Sequence, residues 1–279
     1  MINLIAAAFG VYAALVGGLY LFQRQLIYHP SQFMASPAEA GVAEMQTLSV
    51  TTDDGLVLTF WYRPALPGQP TLVFFHGNGG NLSGRGFKAR PYLDAGFGVV
   101  LAAYRGYGGN PGKPSETGLY ADARAQLGFL RRQGVAPAQW VLYGESLGSG
   151  VAVQMAYEHA LGTPGKAAPA PVGALVLEAP FSSLADAAQA HYPFVPARLL
   201  IRDRYDSAAK IGHVQAAVMI VQGEQDGVIP PKLGKRLFQA AREPKRAHWI
   251  PGAGHNNLYD YGVPGLVVDF VRKTVGEGP

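Results

Sequence analysis

The sequence predicts an α/β fold, a mostly parallel central sheet flanked by helices, preceded by one N-terminal transmembrane helix. Three observations carry this reading. Residues Ile2 to Phe22 contain no charge, and Asn3 is their only strongly polar side chain. Short continuous apolar runs, the kind that form strands buried on both faces, recur along the rest of the chain. Helical patterns lie between those runs, as crossover connections require.

The leading segment covers roughly 31 Å as a helix, which matches the hydrocarbon thickness of a bilayer. A cleaved signal peptide fits less well, because no Lys or Arg precedes the apolar run and the run is longer than an h-region. The expected organisation is an anchor over 1–24, a connector over 25–44 and one large α/β domain over 45–279. Ala6, Gly10, Ala14 and Gly18 recur every fourth residue, a small-residue face through which the anchor could self-associate in lipid. Arg24 follows the span and only the α-amino group precedes it, which leans the large domain toward the cytoplasmic side.

Residues Met45–Thr52 and Leu56–Tyr62 alternate around Asp53-Asp54-Gly55, a hairpin signal. Thr71–Phe75, Val99–Ala103, Trp140–Tyr143, Ala174–Leu177, Ala217–Gln222 and Ala247–Ile250 read as strands. Gly118–Arg132, Leu147–Leu161, Lys232–Ala241 and Val263–Val275 read as helices. The aromatic and proline-bearing stretch Phe181–Tyr205 breaks the rhythm and suggests a small cap, with Phe181, Tyr192, Phe194 and Tyr205 as candidates for lining a pocket beneath it. Gly162–Pro171 reads as a surface loop.

Composition narrows the function. The chain of 279 residues carries a net charge of +4 and is 48% hydrophobic but only 15% charged. No run of Lys and Arg exceeds two residues, so the sequence does not support a nucleic-acid footprint. There are 0 cysteines, which removes disulfides, thiolate metal sites and a Cys nucleophile. No sequence pattern calls for a metal or an organic cofactor.

Chemistry concentrates in three places. Gly144-Glu145-Ser146-Leu147-Gly148 follows a strand and opens a helix, the context in which G-x-S-x-G presents a nucleophilic serine. His76-Gly77-Asn78-Gly79-Gly80-Asn81 follows another strand and lacks the Gly-Lys-Ser/Thr ending of a phosphate loop. An acyl-transfer site needs two backbone amides for the oxyanion. Leu147 N–H and Asn78 N–H are the candidates, with Gly79 as the alternative to Asn78.

A base and an acid complete the set. A serine hydroxyl attacks only when a base takes its proton and an acid orients that base. Asp226 and His255 both follow strands, in the expected chain order after Ser146. Glu178 and Glu224 are rival acids. His248 is expected to pack, His76 to bond within its loop, and His29, His159, His191 and His213 have no supporting context.

These residues resemble the α/β-hydrolase fold family over roughly 45–275. A narrower resemblance is to membrane-anchored α/β-hydrolase-domain proteins related to the eukaryotic depalmitoylating hydrolases. It rests on Phe22-Gln23-Arg24-Gln25-Leu26-Ile27-Tyr28-His29-Pro30, the His76–Asn81 loop, Tyr104-Arg105-Gly106-Tyr107-Gly108 and Pro114-Ser115-Glu116-Thr117-Gly118-Leu119-Tyr120-Ala121-Asp122. The chain departs from that group at Ala103, where an acid is common, and at Ser149, where a larger side chain is common. The resemblance implies hydrolysis of an ester or thioester through an acyl-enzyme, without a cofactor. A membrane tether implies a lipid or acylated substrate. Amide or peptide hydrolysis on the same residues, and a catalytically inactive tethered interaction module, are the competing readings.

Overall fold

The computed structural model describes residues 2–162 and 168–275. Eight strands form one sheet: β1 (Gln46–Thr51), β2 (Val57–Arg63), β3 (Thr71–Phe75), β4 (Gly98–Leu101), β5 (Trp140–Glu145), β6 (Ala174–Glu178), β7 (Ala217–Gly223) and β8 (Lys245–Ile250). Their order across the sheet is β8-β7-β6-β5-β3-β4-β2-β1. The β1–β2 and β2–β4 pairs are antiparallel and all others parallel, so β2 alone runs against the rest. The hairpin turn is where Asp-Gly places it, with Gly55 at φ +85°.

Every residue of β3, β4, β6 and β7 is buried, which is why these strands read as unbroken apolar runs. Among the described residues there are nine α-helices, and those that pack on the sheet cover both of its faces. The nine are α1 (Ile2–Ile27), α2 (Gly86–Asp94), α3 (Glu116–Arg132), α4 (Leu147–Leu161), α5 (Leu184–His191), α6 (Ala197–Leu200), α7 (Ala208–Ile211), α8 (Pro231–Ala240) and α9 (Val263–Thr274). α2 and α9 pack together on one face, and α3, α4 and α7 with α8 on the other.

Three features differ from the sequence expectation. The crossover between β3 and β4 contains α2, which has no apolar periodicity and carries Pro91 inside it. Between β6 and β7 the chain forms three short helices, α5 to α7, with α5 and α6 inside the stretch expected as a cap. α1 does not stop at residue 24; it continues to Ile27, and Gln23 and Arg24 find partners on the cap. The expected surface loop Gly162–Pro171 lies partly outside the described residues.

α4 lies directly on the carboxyl ends of β3 and β5. A Cβ at Gly148 would come within 2.0 Å of the Phe75 carbonyl oxygen, so the helix sits this close only because position 148 has no side chain. Gly148→Ala is expected to cost about 3 kcal/mol and to lower the thermal midpoint by about 6 °C or more. Gly265 in α9 meets nothing within 4 Å of a built Cβ, so Gly265→Ala in the same melts is expected to be neutral or stabilising.

Candidate active site

β5 ends, and α4 begins, at Ser146. The turn between them places Ser146 at φ +51° and ψ −115°, a conformation that side chains of L residues seldom adopt. The glycines on either side permit it. A Cβ at Gly144 would meet the Gly148 carbonyl oxygen at 2.5 Å. The Ser146 N–H donates to the Glu178 carbonyl at 2.8 Å, and its own carbonyl accepts from the Ser149 N–H at 2.9 Å. The backbone is therefore pinned on both sides while the hydroxyl faces the cavity.

His255 and Asp226 reach the same point from loops after β8 and β7. Ser146 Oγ lies 3.0 Å from His255 Nε2, and His255 Nδ1 lies 2.8 Å from Asp226 Oδ2. A carboxylate can only accept, so Nδ1 carries the hydrogen and Nε2 of the neutral ring is left to accept from the serine hydroxyl. Asp226 is buried, and its other oxygen accepts the Val228 N–H at 2.9 Å and the Ile229 N–H at 2.7 Å. Gln222 donates to Oδ2 at 3.3 Å. These donors fix the carboxylate in the plane that orients the imidazole.

The loop after β3 closes the other side. Asn78 and Leu147 both line the cavity beside Ser146, and neither backbone amide has an acceptor among the described residues. Gly79 faces elsewhere, in a short parallel bridge that pairs Gly79-Gly80 with His29-Pro30. The loop is held by its own contacts. The Asn78 carbonyl accepts from the His29 N–H at 3.0 Å and from the Tyr107 hydroxyl at 2.8 Å. Arg85 donates to the Gly79 carbonyl at 3.1 Å.

A buried charge cluster, absent from the sequence expectation, lies behind the serine. Lys88 Nζ bridges Glu145 at 3.1 Å and Glu178 at 2.7 Å, and Arg85 Nε reaches Glu145 at 3.0 Å. Burial opposes the Glu145 charge, but Lys88 and Arg85 overcome it and hold the carboxyl below its ordinary range. Glu178 is pushed upward by burial, against the attraction of Lys88. It also accepts from the Tyr143 hydroxyl. Glu178 thus bonds to Lys88 and Tyr143 rather than to His255, and Glu224 is exposed. No periodicity could have revealed Lys88, since it is a buried charge on a helix with no sequence signature.

The remaining histidines pack or bond locally. His29 Nε2 faces the Leu26 carbonyl at 3.0 Å, and His191 Nε2 the Val228 carbonyl at 2.7 Å. His159 stacks edge-on to Trp140 and His213 to Tyr157, while His248 is a strand residue of β8. His76 is buried against Tyr104 and Tyr107 with Nδ1 at 2.7 Å from the Gly77 carbonyl and Nε2 without a partner. Burial first, and the Arg85 charge second, lower its pKa to about 3. Among the described residues no three His, Cys, Asp or Glu side chains group so as to hold a metal ion.

The cavity itself has a volume of about 260 Å³ and runs from Ser146 between the cap helices and α1. Phe181 and Tyr192 line it as expected. Phe194 and Tyr205 do not. Phe194 is 61% exposed on the outside of the cap, and Tyr205 is buried against Gly150, its hydroxyl 3.0 Å from that of Tyr28. The wall contributed by α1, including Val16 and Leu19, was not expected from sequence, because an apolar helix reads alike whether it faces lipid or protein.

Residues 70–214 match the family described as alpha/beta hydrolase fold. The chain is 41% identical over 276 residues to a Mycobacterium tuberculosis protein, Rv2307c, covering 96% of this chain and 93% of that one. It is 29% identical to the lysophosphatidylserine lipase ABHD12 of Danio rerio, covering 76% of this chain and 61% of the relative. Among solved structures, the Pyrococcus furiosus esterase Pf2001 superposes with a TM-score of 0.68 at 16% identity, covering 89% of this chain and 100% of that one.

The buried His76 gives the fold an acid-sensitive element. Its folded pKa lies below the unfolded value of 6.5, so stability is full above that pH and falls as pH drops toward about 3. The expected loss is on the order of a few kcal/mol over that window. Denaturant midpoints measured across it should fall for the wild type and fall less steeply for His76→Gln, which takes up no proton. Parallel slopes for the two proteins would remove His76 from this role.

Proposed function

The chain belongs to the α/β-hydrolase fold family, and from that premise we propose that it is a membrane-tethered serine hydrolase cleaving an acyl ester or thioester. One observation carries the reading. Ser146, His255 and Asp226 form a continuous hydrogen-bonded chain of 3.0 Å and 2.8 Å at the end of an apolar cavity. The names of an esterase and a lysophospholipid lipase among the similar proteins support the same class.

In the proposed reaction Ser146 Oγ attacks the acyl carbonyl as its proton passes to His255 Nε2. Asp226 holds the ring and stabilises the imidazolium. The carbonyl oxygen becomes an oxyanion that accepts hydrogen bonds from the Asn78 and Leu147 amides. Collapse breaks the bond to the alcohol or thiol, which leaves with the proton from His255. Water then attacks the acyl-enzyme, His255 takes its proton, and Ser146 is released with a free carboxylic acid. Because the two oxyanion donors are backbone groups already fixed in place, little reorganisation is needed when charge develops.

The tether is α1. Residues Asn3–Ile27 include an 18-residue stretch with a mean hydropathy of 2.0, none of it buried, as a membrane-spanning helix requires. Fluorophosphonate labelling of the full chain in membranes tests the reading. Wild type should label, and Ser146→Ala and His255→Ala should not. Asp226→Asn should keep its fold and lower kcat by about ten-thousand-fold, because the imidazole loses its orienting acceptor. A folded wild type that takes no label would favour a tethered interaction module. Faster turnover of matched amides than of esters would favour an amidase.

A further inference from the structure

We infer that α1 is not only a tether but one wall of the acyl site, and that the substrate is a long-chain acyl ester or thioester whose chain reaches Ser146 along α1 from the membrane leaflet. This rests on the hydrolase reading above. Val16, Leu19, Tyr20, Leu26 and Ile27 of α1 face the same cavity as Ser146 and Leu147. Ile27 marks the reactive end, since its carbonyl accepts from the Asn78 side chain at 2.9 Å. From Ile27 to Val16 the helix rises about 17 Å, the reach of a long-chain acyl group. The cavity of about 260 Å³ is at the small end of pockets that take drug-sized ligands, so it suits one chain rather than a pair.

A set of polar contacts fixes α1 against the cap. Arg24 forms a bidentate pair with Asp203, at 2.9 Å and 3.1 Å. Tyr28 donates to the same carboxylate at 3.1 Å. Gln23 accepts the Arg202 N–H at 2.7 Å and donates to the Leu200 carbonyl at 3.5 Å. Nearer the N-terminus, the Tyr12 hydroxyl donates to the Phe194 carbonyl at 2.8 Å. The polar atoms of Gln23 are taken up by the Tyr20 carbonyl of α1, at 2.8 Å, and by the cap backbone, which leaves the groove between the two elements apolar.

These contacts also set the depth of the cap. Tyr12, whose hydroxyl bonds the cap, lies midway along the apolar run Ile2–Phe22. The ~30 Å of hydrocarbon a bilayer presents takes up about 20 such residues. If α1 crosses the membrane, the helix beside the cap lies within it, and the cap edge is carried to the surface or into it. The edge suits that position. Leu199 is 83% and Phe194 61% exposed, and the Arg202 guanidinium lies 4.3 Å over the Tyr20 ring. Apolar tips with Tyr and Arg behind them are the composition of a membrane interface. The groove mouth therefore opens at the level of the acyl chains rather than to water.

The test uses the full chain in phosphatidylcholine vesicles with p-nitrophenyl palmitate and p-nitrophenyl butyrate as probes. The quantity read is the ratio of kcat/KM for palmitate over butyrate. Wild type should favour palmitate, and Leu19→Trp, which fills the groove, should lower the ratio by about tenfold, equivalent to losing about two buried methylenes. Leu21→Trp adds the same bulk on the opposite side of α1, where Leu21 is 66% exposed, and should leave the ratio unchanged. If Leu19→Trp loses fluorophosphonate labelling, Val16→Phe takes its place. A ratio unmoved by the groove variant, or moved equally by Leu21→Trp, overturns the inference, as does a wild type indifferent to chain length. A wild type that hydrolyses neither ester and takes no label sinks the hydrolase reading instead.

Discussion

A serine at φ +51° sits where L side chains are strained by about 1–3 kcal/mol, and it stays there only if its surroundings over-determine the backbone. Here they do. A parallel strand ends under it, a helix starts beyond it, and the glycines at 144 and 148 let the two approach at distances no Cβ would allow. The Ser146 N–H is bonded to the next strand, so the position of Ser146 is set by the register of β5 against β6. The same geometry leaves the Leu147 amide at the start of α4 without an intrahelical acceptor. One turn thus supplies both a projecting hydroxyl and an unpaired amide.

Behind that turn, the electrostatics are arranged to hold rather than to react. Glu145 and Glu178 pair in register across β5 and β6, two carboxylates that would repel if both were charged and alone. Lys88 sits between them, and Arg85 takes the outer oxygen of Glu145. Arg85 also bonds Gly79, and Glu145 accepts the Gly77 N–H at 3.4 Å. The cluster thereby joins the loop bearing Asn78 to the elbow bearing Ser146. A buried ion cluster is weak evidence of net stability, since desolvation offsets much of the attraction. Its value here is geometric: Glu145, held by Lys88 and Arg85, ties the loop after β3 to the elbow after β5.

The legible parts of this protein are those where local pattern and tertiary role agree. Thr71–Phe75 and Leu147–Leu161 have the same bounds in sequence and structure, because each is an apolar run bounded by glycine or polar residues. The loops bearing Asp226 and His255 were legible as strand ends on one sheet edge, and the chain brings them to Ser146. α2 was not legible, since its buried face includes Lys88 and its interior holds Pro91. Phe194 and Tyr205 show the limit of composition. Both are aromatic residues in the cap, yet one points to solvent and the other packs under Gly150, a distinction set by three-dimensional neighbours.

α1 shows a different limit. A helix that is apolar all round gives no periodic signal of which side meets protein and which meets lipid. What distinguishes the two sides is the polar cluster at its end, where Gln23 and Arg24 face the cap and Leu21 and Phe22 do not. A tether needs no such specificity, because any long apolar helix holds a domain to a membrane. A bidentate arginine, a shared aspartate and a glutamine matched to two backbone groups instead fix rotation and height together. Fixing both is what a wall of a binding groove requires, since a helix free to rotate would present a changing surface to the acyl chain. α1, the cap and Ser146 are thereby placed in one frame around a single cavity.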